Sequence, residues 1–263
     1  MNVRVEAIPA VLYTVMVLQI PNSPRWLAIN RQDDQGALKT LRILYDEQLA
    51  LAKLKEIKER ITIGKVKENL FSGKYKTPLI RAFLIAFFNQ LSGINFVLYY
   101  APEILERAGL AAQESLFSSI AIGIVNLIFT FVGVWLIDRL GRKQLMKIGS
   151  IGYIVSLGMV GWCFYSGASS AMLLTFVLIF IASHAVGQGA VIWVFIPEIF
   201  PQRVRAWGQS WGTGAHWVFA AIITLVTPMF LDSDNGVFKD NPWPNFYILC
   251  RYDGFTIALC AFL

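Results

Sequence analysis

The chain has 263 residues, of which 56% are hydrophobic, 14% aromatic and 15% charged, whereas a soluble domain carries about 45–50% apolar and about 25% charged residues. The excess lies in uncharged runs at 82–101, 116–137, 148–175, 176–197 and 207–231, each long enough for a bilayer-spanning helix of about 20 residues. This excludes a disordered chain, a disulfide scaffold and a compact cytosolic enzyme, and such unbroken runs exclude an outer-membrane barrel, whose strands alternate with period two.

The formal charge of +6 does not point to nucleic acid, because the basic residues are placed by topology. Of 23 Lys and Arg, twelve lie between Arg25 and Lys76, four between Arg139 and Lys147, and two are Arg203 and Arg205. These segments are alternate loops. The loops between them, at 102–115, 165–170 and 232–241, hold only Arg107 and Lys239 against Glu103, Glu106, Glu114, Asp232, Asp234 and Asp240. The positive-inside bias makes the basic loops cytoplasmic and the protein a multi-pass component of the cell (plasma or inner) membrane, with the lipid bilayer as its surroundings. Cys163, Cys250 and Cys260 show neither pairing nor metal-ligand spacing and read as small embedded hydrophobes.

In chain order, the first apolar segment, 8–20, is short, with Arg4 and Glu6 just before it and Pro21 and Pro24 just after. Residues 31–76 turn charged and polar, with Leu38, Leu41, Ile43, Leu44, Leu49, Leu54, Ile57 and Ile61 at helical spacing. They predict two or three surface helices with one apolar stripe, docked on membrane or on protein. Five long helices follow near 78–101, 115–137, 145–166, 171–196 and 205–231, then a sixth at 243–263. The sixth is compromised by Arg251 and Asp253, each of which costs about 2.5–3.5 kcal/mol at mid-membrane unless the two pair with each other.

Four strings fall at telling places: PNSPRWL (21–27) after the first segment, NQLSGINFVLYYAP (89–102) in a helix, and DRLGRK (138–143) and PEIFPQRVRAWGQS (197–210) between helices. Together they resemble the sugar porter family of the major facilitator superfamily, in one order from about residue 4 to about residue 249. DRLGRK alone is superfamily-grade; the other three are close to family-specific. The resemblance implies twelve helices in two six-helix halves, of which this sequence holds the sixth helix, a cytoplasmic helical domain and the C-terminal half. The expected fold is therefore all-α and polytopic, a partial major facilitator fold with about seven of twelve transmembrane helices. The expected domains are an incomplete helix at 1–21, a cytoplasmic amphipathic domain at 22–77 and a transmembrane bundle at 78–263. The N-terminal six-helix half would be a missing partner.

A sugar presents hydroxyls that both donate and accept, and Asn and Gln amides match them at lower embedding cost than charges. Asn89, Gln90 and Asn95 share one helix face, with Gly93 between them where the helix can open. The competing reading is that these amides bridge helices. By resemblance, Asn89 and Gln90 match the family's paired glutamines, with Asn89 shorter than the usual Gln, and Asn95 and Asn126 match further sugar ligands. Trp193 matches the tryptophan that packs on the sugar ring. Ala190 stands where the family has Pro, which implies a weaker local bend. His216 falls where relatives have an Asn or Gln ligand and His184 where they have a site-lining aromatic; either could instead be a packing histidine. Tyr99 and Tyr100 belong by resemblance to the outer gate. Arg25, Asp138, Arg139, Arg142, Glu198 and Arg203 are cytoplasmic gate charges, or else charges that only set topology.

Catalytic and cofactor motifs are missing from the sequence: it has no glycine-rich phosphate loop after a strand, no His-Glu-x-x-His and no paired carboxylates in apolar surroundings. No enzyme, cofactor or metal is expected, nor ATP-driven transport. The implied function is secondary active or facilitative transport of a hexose or pentose by alternating access, with a proton as coupling ion. Symport and facilitated diffusion stay open, because the acidic residue of proton-coupled relatives lies in the other half. The alternatives are a sugar sensor that does not transport, or an inert gene remnant. The remnant reading draws on the tail, where CRYDGFTIAL breaks the pattern. Suitable codons read one base later would give Ala-Gly-Met-Met-Val-Leu-Gln-Leu-Leu, similar to the apolar sequence of relatives, so a frameshift near Cys250 and loss of the family's cytoplasmic tail are expected.

Overall fold

The computed structural model describes residues 3–64, 69–231, 236–238 and 241–262. Asp232, Asp234, Lys239, Asp240 and Leu263 lie outside the described residues, as do the side chains of Arg4, Glu6 and Ile61. Contacts divide the chain into two compact units, Met1–Glu68 and Asn69–Leu263.

In the first unit, α1 (Val3–Leu18) carries Pro9 within its first two turns and leaves its apolar side chains exposed, Ile8 and Leu18 among them. Pro24 opens α2 (Pro24–Trp26), a position where its missing N–H costs nothing. A π-helical turn, Leu27–Arg31, follows and is ended by Gln32 at φ +54°. α3 (Asp34–Leu44) is capped by Asp33, whose carboxylate accepts from Gly36 N at 2.8 Å. Asp46 does the same for α4 (Glu47–Gly64) through Leu49 N. An ion pair between Asp34 and Lys58 ties the start of α3 to the later part of α4. The expected apolar stripe is only partly inward. Leu41 and Leu54 join Leu27, Ala28, Ala37 and Ala50 in a small core, with Leu38 and Ile57 against it, while Ile43, Leu44 and Leu49 face outward.

The second unit is a helical bundle. α5 (Lys76–Leu91) is followed by α6 (Ile94–Tyr99) and α7 (Ala101–Arg107), then by α8 (Ala112–Leu140) and α9 (Arg142–Ser166). α10 (Ser170–His184) and α11 (Ala190–Ile199) are two parts of one rod joined by a π-helical turn, Ala185–Gly189, and α12 (Arg205–Leu231) and α13 (Trp243–Phe262) complete the order. The stretch predicted as a loop from 102 to 115 is mostly helical. Pro102 sits in the first turn of α7, where it needs no donor, and only residues 108–111 connect α7 to α8. Among the described residues, five segments are long and apolar enough to cross a membrane: Gly73–Tyr99, Phe117–Leu140, Arg142–Ser166, Ser170–Ile199 and Arg205–Phe230. α13 is as long as a span, at 20 residues, but is not among the five. Its two charges do not pair. They are two residues apart, so they point to different sides of the helix. Arg251 is exposed, whereas Asp253 is fully buried and, among the described residues, neither carboxylate oxygen has a hydrogen-bond partner.

Apolar packing in the bundle splits into two cores at opposite ends. One gathers α6, α7, the later half of α9, α10 along its length and the start of α13 around Val97, Leu105, Tyr153, Leu157, Phe180 and Phe246. The other gathers α5, the end of α8, the start of α9, and α11 around Ala82, Ile85, Leu145, Met146, Ile192 and Phe200. Between them the helices turn polar: Asn89, Gln90, Ser92, Ser150, His184, Gln188 and His216 are all buried. Glycines allow the close approach on which this layer depends. A Cβ on Gly149 would come 2.8 Å from Gly187 Cα, and one on Gly187 2.7 Å from Gly149 Cα, so α9 and the π-helical turn touch backbone to backbone. Membrane helices use small residues in this way.

Candidate functional site

The polar layer sits where two helical rods lose regularity. Ser92 and Gly93 interrupt the α5–α6 rod, Gly93 at φ +80°, a left-handed conformation that only glycine takes cheaply. The pattern of amides around Gly93 anticipates this break. The second break is the π-helical turn at Ala185–Gly189. Ala190, standing where the resemblance calls for Pro, directly follows it, so the irregularity comes from an inserted residue with glycines at 187 and 189 and needs no proline. π turns of this kind recur at functional sites.

Five of the predicted ligands are brought together here. Asn95 Nδ2 donates to Gln90 Oε1 at 2.7 Å. Gln90 Nε2 lies 2.9 Å from His216 Nε2 and 3.1 Å from its Nδ1, and donates to whichever ring nitrogen lacks a proton. It also reaches Asn89 Oδ1 at 3.5 Å. Asn89 Nδ2 in turn donates to Gln188 Oε1 at 3.0 Å, and Gln188 Nε2 to Ser150 Oγ at 3.4 Å. The Trp193 ring meets the His216 imidazole edge-on, with centroids 4.9 Å apart, and the Trp217 ring is also edge-on to it at 5.4 Å.

The network grades from enclosed to open. Asn89, Gln90 and Gln188 are each 1% exposed, whereas Trp193 is 40% exposed and Asn95 is intermediate. Asn95 donates to Gln90, and among the described residues its Oδ1 accepts no hydrogen bond. An arriving hydroxyl therefore meets a free acceptor and an aromatic face, backed by amides whose orientation is already fixed.

Gln188 and Ser150 are absent from the predicted ligands although they anchor the network. The signal was a lone Gln inside an apolar span, since an amide in that setting needs a partner. Four predicted positions stand apart. His184 is bound to Tyr153, whose hydroxyl lies 3.0 Å from Nδ1 with the rings stacked at 5.8 Å. Asn126 is half-buried on α8, and among the described residues no side-chain hydrogen bond joins it to the cluster. Tyr99 is largely exposed, while Tyr100 OH donates to Thr224 O at 3.2 Å and so ties α6 to α12.

The basic–acidic cluster lies at the bundle end where α8 passes into α9. Gly141, at φ +83°, makes the turn that aims Arg142. Its guanidinium grips Glu198 at 3.0 and 3.1 Å and Asp138 at 3.2 Å, and also donates to Ile137 O. Arg139 lies 3.8 Å over the Trp135 ring, a cation–π contact. Arg203 is exposed in the turn before α12, and Arg25 belongs to α2 of the first unit.

Membrane-length helices around a buried polar layer, with helix breaks at that layer, define a polytopic α-helical membrane protein of the architecture in which transporters build their sites. The chain belongs to the sugar (and other) transporter family, whose profile it matches over residues 2–263, and family members are transporters rather than enzymes. It is 34% identical over 260 residues to the arabinose-proton symporter of Bacillus subtilis (strain 168), covering 96% of this chain and 54% of that protein. To the D-xylose-proton symporter of Escherichia coli (strain K12) it is 31% identical over 224 residues, 85% of this chain and 45% of that protein. Among solved structures, the major facilitator superfamily proton:xylose symporter XylE bound to 6-bromo-6-deoxy-D-glucose superposes with a TM-score of 0.79 at 29% identity, covering 96% of this chain and 53% of that one. The fold is thus part of the major facilitator fold, and the chain spans about half the length of the relatives it matches.

Proposed function

We propose that this chain carries the C-terminal share of a monosaccharide site in a proton-coupled transporter that works by alternating access. The observation that carries the reading is the hydrogen-bonded run from Gln188 through Asn89 and Gln90 to Asn95 and His216, edge-on to Trp193, at the break between α5 and α6. A pyranose or pentose ring packs an apolar C–H face on an indole while its hydroxyls exchange hydrogen bonds with amides. Asn95, Trp193 and His216 are the direct contacts and Gln90 the shared one. Asn89 is held by Gln188, and Asn126 and His184 complete the lining in the sugar-bound state. The names of the relatives, symporters of arabinose and xylose, support both the substrate class and the proton as coupling ion.

In this reading Tyr99 and Tyr100 close the site on one side, and on the other Asp138, Arg139, Arg142, Glu198 and Arg203 form a gate facing the cytoplasm, where the basic loops lie in the cell membrane. Weak, partly exposed ion pairs suit a contact that must break in every cycle. Transport needs the facing six-helix half. The test is uptake of radiolabelled xylose, arabinose and glucose into proteoliposomes holding this chain with an N-terminal six-helix half from one of these relatives, with and without a proton gradient. Gradient-dependent uptake that disappears in Gln90→Ala supports the proposal. Uptake by the chain alone, or uptake indifferent to Gln90→Ala, contradicts it.

A further inference from the structure

Tyr153 on α9 is fully buried, yet it carries a hydroxyl, and a buried hydroxyl needs partners. Its ring packs on Phe180 and His184 of α10, with centroids 5.4 and 5.8 Å away, and its oxygen lies 3.0 Å from His184 Nδ1. The same oxygen accepts from the backbone N–H of Gln188 in the π-helical turn. Were His184 Nδ1 to donate as well, the hydroxyl proton would need another acceptor. The Asp253 carboxyl is near the ring, but among the described residues it takes part in no hydrogen bond. The proton therefore goes to His184, and Nδ1 accepts it.

A neutral imidazole whose Nδ1 accepts carries its own proton on Nε2. Among the described residues that nitrogen has no hydrogen-bond partner and, unlike the Asp253 oxygens, it is not sealed off. Its edge faces Gly189. A Cβ there would come 3.2 Å from Nε2 and 3.0 Å from Cδ2, so the absent side chain leaves room beside the N–H. Gly189 has helical backbone angles and stands one turn before Trp193, on the same face of the rod. The His184 ring is also close enough to His216 for the two to interact electrostatically. The N–H thus borders the open end of the cluster, where Trp193 and His216 lie.

We infer that Tyr153 is a positioning residue of the sugar site: it holds His184 as the Nε2–H tautomer, and that N–H donates to an oxygen of the bound monosaccharide. The inference rests on reading this cluster as a sugar site. It adds a specificity element, because amides both donate and accept whereas this N–H only donates, so it selects an oxygen at that point of the sugar.

The chain has two histidines, so isotope-labelled histidine gives a spectrum of two rings, and His216→Gln leaves that of His184 alone. Solid-state NMR in lipid bilayers identifies the protonated nitrogen, since Nε2 is bonded to Cδ2 and Nδ1 to Cγ. The expected ring is neutral with its proton on Nε2. Tyr153→Phe, which keeps the aromatic packing, should bring up an Nδ1–H form with the helical circular dichroism unchanged. In a second arm, isothermal titration of the co-reconstituted halves with D-xylose, arabinose and D-glucose gives affinities. Tyr153→Phe and His184→Phe should each weaken the best-bound sugar about three- to tenfold, as loss of one hydrogen bond would, and the double variant should be no weaker than His184→Phe alone. An Nδ1–H or doubly protonated ring in the wild type, a tautomer unmoved by Tyr153→Phe, or additive losses in the double variant overturns the inference. Absence of sugar binding by the wild type while His184 still shows Nε2–H would overturn the sugar site itself, and the donor role with it.

Discussion

Replacing Gly93 with alanine tests whether the helix break is built into the sequence. The residue sits at φ +80°, where an L-residue pays about 1–2 kcal/mol. The new Cβ would come 2.5 Å from Leu249 Cδ1, well inside the roughly 3.5–4.0 Å of an ordinary carbon contact. Leu249 can swing aside only by leaving its packing, at about 0.5–1.5 kcal/mol for an off-rotamer side chain. Gly93→Ala should therefore cost about 2–3 kcal/mol. Gly158→Ala is the control. It lies within α9 with nothing within 4 Å of its added Cβ, and should stabilise by about 0.4–1 kcal/mol. Reversible unfolding in mixed micelles, followed by far-ultraviolet circular dichroism, gives both values. If Gly93→Ala is no less stable than Gly158→Ala, the break is not held as described.

Other substitutions separate the remaining parts of the account. Asp253→Leu removes a buried carboxyl without a described partner and should raise stability by about 1–3 kcal/mol in the same assay; a loss would mean that the carboxyl has a partner. Gln188→Ala releases Asn89 and should cost about 0.5–1.5 kcal/mol of sugar-binding free energy, less than the roughly 1–3 kcal/mol for Gln90→Ala, which strands two partners. Isothermal titration with the co-reconstituted halves gives the order, and a reversed order refutes Asn89's dependence on Gln188. Arg142→Gln breaks partly exposed pairs and should change stability by no more than about 1 kcal/mol; a larger loss by the same unfolding assay would make the cluster structural rather than a gate.

The spans, the short helices between Asp34 and Gly64 and the opening at Gly93 were legible because each leaves a local mark: an uncharged run, a capped amphipathic repeat, or a glycine among amides. The π-helical turn at 185–189 was hidden inside one continuous apolar run. Pro102 and the charges after it disguised α7 as a loop, although proline is at home in a first helical turn. Gln90, Asn95 and His216 were readable as a set by resemblance. That Asn89 rests on Gln188, and that His184 turns to Tyr153, depends on contacts between helices far apart in sequence, which no local pattern records. The idea that Arg251 and Asp253 pair fails on helix geometry, since their side chains diverge.

The most direct test of the sugar site is saturation-transfer-difference NMR on the purified chain with D-xylose, arabinose and D-glucose, a method sensitive to the weak binding expected of half a site. Saturation should pass to ring C–H protons of at least one sugar, and should be lost in Gln90→Ala and in Trp193→Ala while the helical circular dichroism is unchanged. Equal transfer in wild type and both variants, or no transfer to any of the three from folded protein, would contradict a monosaccharide site at this helix break.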